Sequence, residues 1–295
     1  MKRGFFLGID TSNYTTSAAA VTPAGEVFCA KRLLAVPQGS RGLRQSDALF
    51  CHTRDFPSVL EECLAGMRRS LGDLPLLGVG VSTAPRPVEG SYMPCFLAGA
   101  SAARSIALAS GVPLYELSHQ EGHVEAALFG TAEEGKSLKE KEFLAFHLSG
   151  GTTELLWVKE NGARWQVEPI AQALDLTCGQ FIDRCGVKLD LPFPAGAHLE
   201  LLAERATLRE RVRVPKKEAG INLSGFENRF DQKKEKGASP EELAGFVFDV
   251  TEEAIRTLLS FAPAGLPVLF SGGVTSSRLL KGRLEEERLL ISRLT

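Results

Sequence analysis

The feature of this 295-residue sequence that most constrains its fold is a repeated order of elements, with three strand-like runs opening each half. In the first half the runs are Phe5–Ile9, Ser17–Val21 and Val27–Leu34, the last following a turn at Pro23-Ala24-Gly25. A helical pattern over Asp47–Ser70 comes next, then a strand at Leu76–Val81, a small-residue helix at Ala98–Ser110 and a strand at Val112–Leu117. The second half restarts the series with strands at Phe143–Leu148, Leu155–Lys159 and Trp165–Pro169. Helices near Gln180–Leu189, Ala197–Ala206 and Pro240–Ala262 follow, then a strand at Val268–Phe270, a helix over Ser276–Arg288 and a closing strand at Leu289–Ser292. Strands alternating with helices imply mixed or parallel sheets covered by helices. The expected architecture is a two-lobed α/β protein with duplicated βββαβα halves, divided at the polar spacer Gly130–Lys141 into residues 1–130 and 131–295.

A hydrophobic content of 44% is enough for a substantial core, and a net charge of -2 argues against a protein dominated by positive charge. One stretch departs from that balance. Glu204–Lys236 carries ten Lys and Arg against six Asp and Glu, and reads either as a solvated face or as a surface for RNA phosphates. No apolar run reaches the ~18 residues of a membrane span, so no membrane partner is expected. Met1-Lys2-Arg3 before Phe5–Ile9 has the outline of a leader, but Asp10 interrupts the apolar run and a first core strand fits better. The six cysteines are scattered without a C-x-x-C pair, as for reduced thiols in a cytoplasm.

Chemistry-bearing residues gather at the turns. The first hairpin reads Gly8-Ile9-Asp10-Thr11-Ser12-Asn13-Tyr14-Thr15-Thr16-Ser17, and the second His147-Leu148-Ser149-Gly150-Gly151-Thr152-Thr153-Glu154. Small residues let the backbone approach a phosphate, whose oxygens N–H groups and hydroxyls can cradle. Either hairpin alone is an ordinary tight turn; two of them, each opening a similar half, point to a nucleotide clamped between paired hairpins. In Phe270-Ser271-Gly272-Gly273-Val274-Thr275-Ser276 a strand runs into glycines and a helix N-terminus, a setting for ribose or phosphate. His119 and His123 in Ser118-His119-Gln120-Glu121-Gly122-His123 share one face if helical, which suits two metal bonds. Glu121 would lie on the opposite face, where it cannot act as their general base in a peptidase. Asp183, in Gly179-Gln180-Phe181-Ile182-Asp183-Arg184, is a carboxylate inside a helical pattern.

Taken in order, these segments, with Pro194-Ala195-Gly196 and Leu223-Ser224-Gly225, resemble the tRNA threonylcarbamoyladenosine synthesis family. Its TsaD-like members are also described as O-sialoglycoprotein endopeptidases or glycoproteases. The resemblance covers essentially the whole chain and implies the two-lobed actin-like (ASKHA, ribonuclease H-like) fold. It implies transfer of threonylcarbamoyl from an adenylate to the exocyclic amine of the adenosine beside the anticodon. By the same resemblance His119 and His123 hold a divalent metal, iron or zinc, and Ser149, Gly150, Gly151 and Thr152 contact phosphate or the acyl group. Asp183 holds ribose hydroxyls, with Gly196, Gly272, Gly273 and Ser277 beside the nucleoside and Asp10, Thr11 and Ser12 in the first hairpin. ATP or an adenylate, tRNA and a homologous or pathway protein are the implied partners. Three positions depart from the family pattern: Tyr14-Thr15 replaces an acidic pair, Ser277 an asparagine, and Ala84-Pro85-Arg86-Pro87-Val88-Glu89 a Gly-Pro-Gly-rich stretch. The family's third metal ligand lies in an Asp-Asn motif beyond the last strand, and this sequence stops at Thr295 without it. The expectation is therefore a divergent or C-terminally truncated paralogue, with a catalytically degenerate nucleotide-binding protein and a glycoprotease as the alternative functions.

Overall fold

Alternation along Phe5–Asp10 (β1) buries Phe5, Leu7 and Ile9 on one face, and the neighbouring strands continue that face. β1 pairs antiparallel with β2 (Thr15–Val21), and β2 with β3 (Val27–Leu33). On the other side of β1, β4 (Leu76–Ala84) and β5 (Leu114–Ser118) add in parallel, giving the order β3-β2-β1-β4-β5. Two helices, α1 (Gln45–Leu71) and α2 (Phe96–Ser110), pack on the apolar face. α1 buries Ala48, His52, Phe56, Val59, Cys63 and Met67, the three- and four-residue spacing of one helix stripe. The computed structural model describes residues 3–12, 14–35, 43–130, 138, 142–161, 164–284 and 289–291. Asn13, most of the spacer 130–141, residues 285–288 and Ser292 lie outside the described residues.

The chain forms two compact units, Met1–His123 and Val124–Thr295, and the division falls within α3 (His119–Gly130). In the second unit β6 (Phe143–Leu148), β7 (Thr153–Asn161) and β8 (Arg164–Ala173) make an antiparallel meander. β11 (Val268–Ser271) and β12 (Leu289–Ile291) add in parallel beyond β6. A short hairpin of β9 (Lys216–Lys217) and β10 (Gly220–Ile221) extends the far edge, so the order is β12-β11-β6-β7-β8-β10-β9. Apart from that extension, the second sheet repeats the first: a meander, then two parallel strands beside its opening strand. The duplicated pattern in the sequence is thus a duplicated topology.

Its core is built on α7 (Pro240–Leu259), which is buried along most of its length and packs with α4 (Cys178–Val187), α5 (Gly196–Ala203) and α6 (Ser224–Glu235). The start of α7 is fixed by a reciprocal Ser239–Glu242 capping box with Pro240 in the first turn.

Four features depart from the sequence expectation. α3 follows β5 without a break, the β9–β10 hairpin is only four paired residues, and α6 lies inside the stretch read as irregular. α6 buries only Phe226 and Phe230, too few apolar residues to make a helical stripe visible. The helix expected over Ser276–Arg288 is instead a 3₁₀ turn (Gly273–Ser276) followed by α8 (Arg278–Leu284). The chain breaks at Ser277, whose hydroxyl accepts from the Leu280 N–H at 3.1 Å and so caps the new helix. No helix of the described residues is long and apolar enough to cross a membrane.

Candidate functional site

Each unit carries its own candidate site. In the first, Asp10 ends β1 at the hairpin and α3 starts directly after β5. The α3 start is held by a reciprocal pair: the Ser118 N–H donates to Glu121 Oε2 at 2.7 Å, and the Glu121 N–H to Ser118 Oγ at 3.1 Å. Glu121 is therefore buried in a helix cap, which gives the physical reason it cannot serve as a peptidase base. The S-x-x-E spacing is legible in the sequence.

This cap aims the histidines. His119 Nδ1 lies 2.8 Å from Asp10 Oδ2, and His119 Nε2 lies 2.8 Å from His123 Nε2. Burial alone would raise the Asp10 carboxyl; the hydrogen bond and charge of His119, with Ser12 and Ser82, outweigh it and hold the group well below the usual carboxylate range. A carboxylate on one ring nitrogen fixes the tautomer and leaves the other to a ligand, the arrangement of metal-bound histidines. Two converging Nε2 atoms fit two positions of a divalent cation's shell. Among the described residues no group of three or more His, Cys, Asp or Glu is arranged to complete one.

Thr11 and Ser12, expected to face a nucleotide, are turned to the fold. Thr11 is fully buried; its hydroxyl donates to the Cys95 carbonyl at 3.0 Å and accepts from the Gly99 N–H at 3.1 Å. With both hydrogen-bonding roles used, it ties the hairpin to α2 and presents nothing to a ligand. The Ser12 N–H donates to Asp10 Oδ1 at 2.8 Å, steadying the carboxylate that holds His119.

The second unit contains a cleft of about 840 Å³ lined by Gly150, Asp183, Gly196, Glu200, Gly273 and Ser277, among others. The turns expected to meet a nucleoside are thus brought together. Asp183 Oδ1 accepts from the Ala195 N–H at 2.8 Å, locking α4 to the turn that opens α5. Glu200, absent from the sequence reading, is its counterpart: Oε1 accepts from Ser277 Oγ at 2.9 Å and from the Leu279 N–H at 2.6 Å. Each carboxylate has one oxygen anchored and, among the described residues, a second without a hydrogen-bond partner. The Ser277 hydroxyl is engaged by Glu200 and by the α8 cap, so it shapes the cleft wall rather than offering a free group. Ile182, Phe193, Pro194 and Val274 supply an apolar wall.

Two glycines are required by close approach. Gly272 has φ 97°, and a Cβ there would stand 2.3 Å from the Leu148 carbonyl oxygen. A Cβ at Gly179 would stand 2.5 Å from the Ser149 carbonyl oxygen, so the N-terminus of α4 sits directly on the second hairpin. In that hairpin the Ser149 hydroxyl accepts from the N–H groups of Gly151 (3.3 Å) and Thr152 (3.1 Å), and Thr177 Oγ1 donates to the Gly150 carbonyl at 3.0 Å. Only Gly150 of the four expected phosphate-contacting residues lines the cleft. A further matched segment, Leu223-Ser224-Gly225, is held by Asp175, which accepts from the N–H groups of Leu223 (2.8 Å) and Ser224 (3.2 Å) and caps α6.

The family model described as TsaD, tRNA N6-adenosine threonylcarbamoyltransferase, matches residues 42–293. The chain belongs to this family. Among TsaD relatives, the tRNA N6-adenosine threonylcarbamoyltransferase of Methanopyrus kandleri is 28% identical over 95% of this chain and 78% of its own length. That of a Bacillus cereus strain is 28% identical over 97% of this chain and 83% of its own. Among solved structures, T. kodakarensis HypF matches 99% of this chain and 45% of its own at a TM-score of 0.61 and 15% identity. Component A of the Acidaminococcus fermentans (R)-2-hydroxyglutaryl-CoA dehydratase matches 100% of this chain and 93% of its own at 0.54 and 15%. At that identity the likeness concerns the fold alone. The fold is the two-lobed actin-like α/β architecture.

Proposed function

We propose that this chain moves threonylcarbamoyl from an adenylate to the exocyclic N6 of the adenosine beside the anticodon of a tRNA, and that the second-unit cleft holds the adenylate. The observation that carries the reading is the carboxylate pair of that cleft. Asp183 and Glu200 each direct an anchored oxygen to backbone and keep another to accept from a ribose hydroxyl. Gly196, Gly273 and Ser277 shape the wall beside the nucleoside, with Gly272 in the turn behind Gly273, and the apolar residues suit a base. Gly150, with Ser149, Gly151 and Thr152 behind it, suits the phosphate and acyl end. In the transfer, N6 bonds to the carbamoyl carbon, and the bond from that carbon to the phosphate oxygen breaks with its electron pair leaving on AMP. The amine gives one proton to water.

His119 and His123 would hold a divalent iron or zinc, with Asp10 fixing His119 from behind. Such an ion, when bound, supplies a Lewis acid for a carbonyl or phosphoryl oxygen. The chain's own residues orient the imidazoles, anchor the ribose and keep the nucleoside against an apolar wall.

Nucleoside analysis of tRNA from a strain lacking the modification tests this reading. Restored threonylcarbamoyladenosine on expression of the chain is expected; none, from protein that is folded and binds nucleotide, would refute it.

A specific observation favours a second reading, a nucleotide-binding paralogue working as a partner. Where the family carries an acidic pair, the Tyr14 carbonyl accepts from the Leu34 N–H at 2.8 Å and Thr15 enters β2 opposite Leu33. Neither residue supplies a carboxylate. Calorimetric binding of ATP or ADP without restored modification would select this second reading.

A further inference from the structure

Part of the positive charge in the segment 204–236 is consumed within the protein. Arg209 pairs with Asp249 and Glu252, Arg229 and Lys233 pair with Glu210, and Lys216 Nζ donates to the Ser260 carbonyl at the end of α7 at 2.9 Å. Three of the remaining cations lie in order along one stretch. From Arg211 to Pro215 burial alternates residue by residue: Val212 and Val214 are buried, while Arg211, Arg213 and Pro215 are exposed, and Lys217 is exposed two positions further on. A period of two is that of an extended chain, in which side chains on one face recur about every 6.6 Å. Arg211, Arg213 and Lys217 make no ion pair with the described residues.

The strap carrying this row is held at both ends to α7. At one end Arg209 lies against Asp249 and Glu252, and the Glu210 N–H donates to Asp249 Oδ2 at 2.7 Å. At the other, Thr257 Oγ1 donates to the Val214 carbonyl at 3.3 Å and Lys216 lies over the Phe261 ring. Lys217 then enters β9, the edge strand of the sheet. The result is a fixed row of cations on a chain whose net charge is -2.

We propose that Arg211, Arg213 and Lys217 form a docking row for the phosphate backbone of the RNA substrate. The inference rests on the reading of this chain as a tRNA-modifying protein, and adds the surface on which the RNA lies. Exposed cations on one face of an extended chain, without protein partners, neutralise phosphates and release their counterions, giving register and affinity rather than sequence choice.

Titration of the full chain with unmodified tRNA, followed by fluorescence anisotropy over a range of salt concentrations, tests it. The variant R211Q/R213Q/K217Q is expected to bind at least about tenfold more weakly at low salt, with a slope of log affinity against log salt shallower by about 2–3. Its thermal midpoint and its nucleotide affinity should match those of the unmodified chain, and R211K/R213K/K217R should bind tRNA as the unmodified chain does. If the glutamine variant binds tRNA with unchanged affinity and slope, the row is not the RNA surface, although the enzymatic reading stands. Self-association of that variant with undiminished RNA binding would assign the charges to protection of the sheet edge and overturn the proposal. If the unmodified chain binds no tRNA at any salt concentration, the proposal and the reading beneath it both fall.

Discussion

The side chain on which the first site turns is Asp10, because it alone fixes which nitrogen of His119 is presented outward. Asp10→Asn keeps the shape and removes the charge. A fall of about 10–100-fold in affinity for zinc or ferrous iron is expected, the usual cost of losing a carboxylate behind a metal-bound histidine. His119→Ala and His123→Ala should each abolish stoichiometric metal, read as metal per chain by mass spectrometry. In the second site, Asp183→Ala and Glu200→Ala each remove a charged acceptor. Each is expected to weaken ATP or AMP binding by about 1.5–3 kcal/mol, roughly 10- to 100-fold, in calorimetry, while leaving metal content untouched. Residue identity was legible to different depths in the two sites. The histidines stand out by spacing and Asp183 through the family resemblance, but Asp10's partnership joins residues 109 apart and Glu200 belongs to a plain helical pattern, so neither is marked locally. Thr11 looks like a ligand residue in the sequence because its hydroxyl's two partners, Cys95 and Gly99, are supplied only by tertiary structure.

At the scale of elements, the caps decide where helices begin. Asp175 is the cap of α6, reached from 48 residues upstream. Burial would raise its carboxyl, but the Ser224 hydroxyl and the N–H groups of Leu223, Ser224 and Leu176 prevail and lower it. A carboxyl lowered in the folded state contributes stability above its unfolded value of about 4, and loses it as pH falls through the folded value. Asp175→Asn should therefore cost about 1 kcal/mol at neutral pH in denaturant melts. The gap from the unmodified chain should close below about pH 4. The turn between β11 and the 3₁₀ segment is less forgiving. Gly272→Ala sets a methyl group against the Leu148 carbonyl at a left-handed φ, and a loss on the order of 2–4 kcal/mol is expected with disordering of the cleft. The strands and long helices are readable because their periodicities are strong. α6 is not, because its two buried phenylalanines leave its helical form to a distant cap.

For the whole molecule, the second sheet's reproduction of the first makes the fold readable: one meander with two parallel strands, written twice. The duplication does not extend to chemistry. The first unit gathers Asp10, His119 and His123, and the second gathers Asp183, Glu200 and the glycine turns. The chain belongs to the TsaD family, and the proposed reading has the second unit hold an adenylate whose acyl group passes to tRNA. The most direct measurement supplies the purified chain, loaded with zinc or ferrous iron, with threonylcarbamoyl adenylate and unmodified tRNA, and follows nucleosides by mass spectrometry. The account predicts threonylcarbamoyladenosine from the unmodified chain, and a yield reduced at least about tenfold by Asp183→Ala at sub-saturating adenylate. A chain that binds both adenylate and tRNA and yet leaves every adenosine unmodified would contradict it.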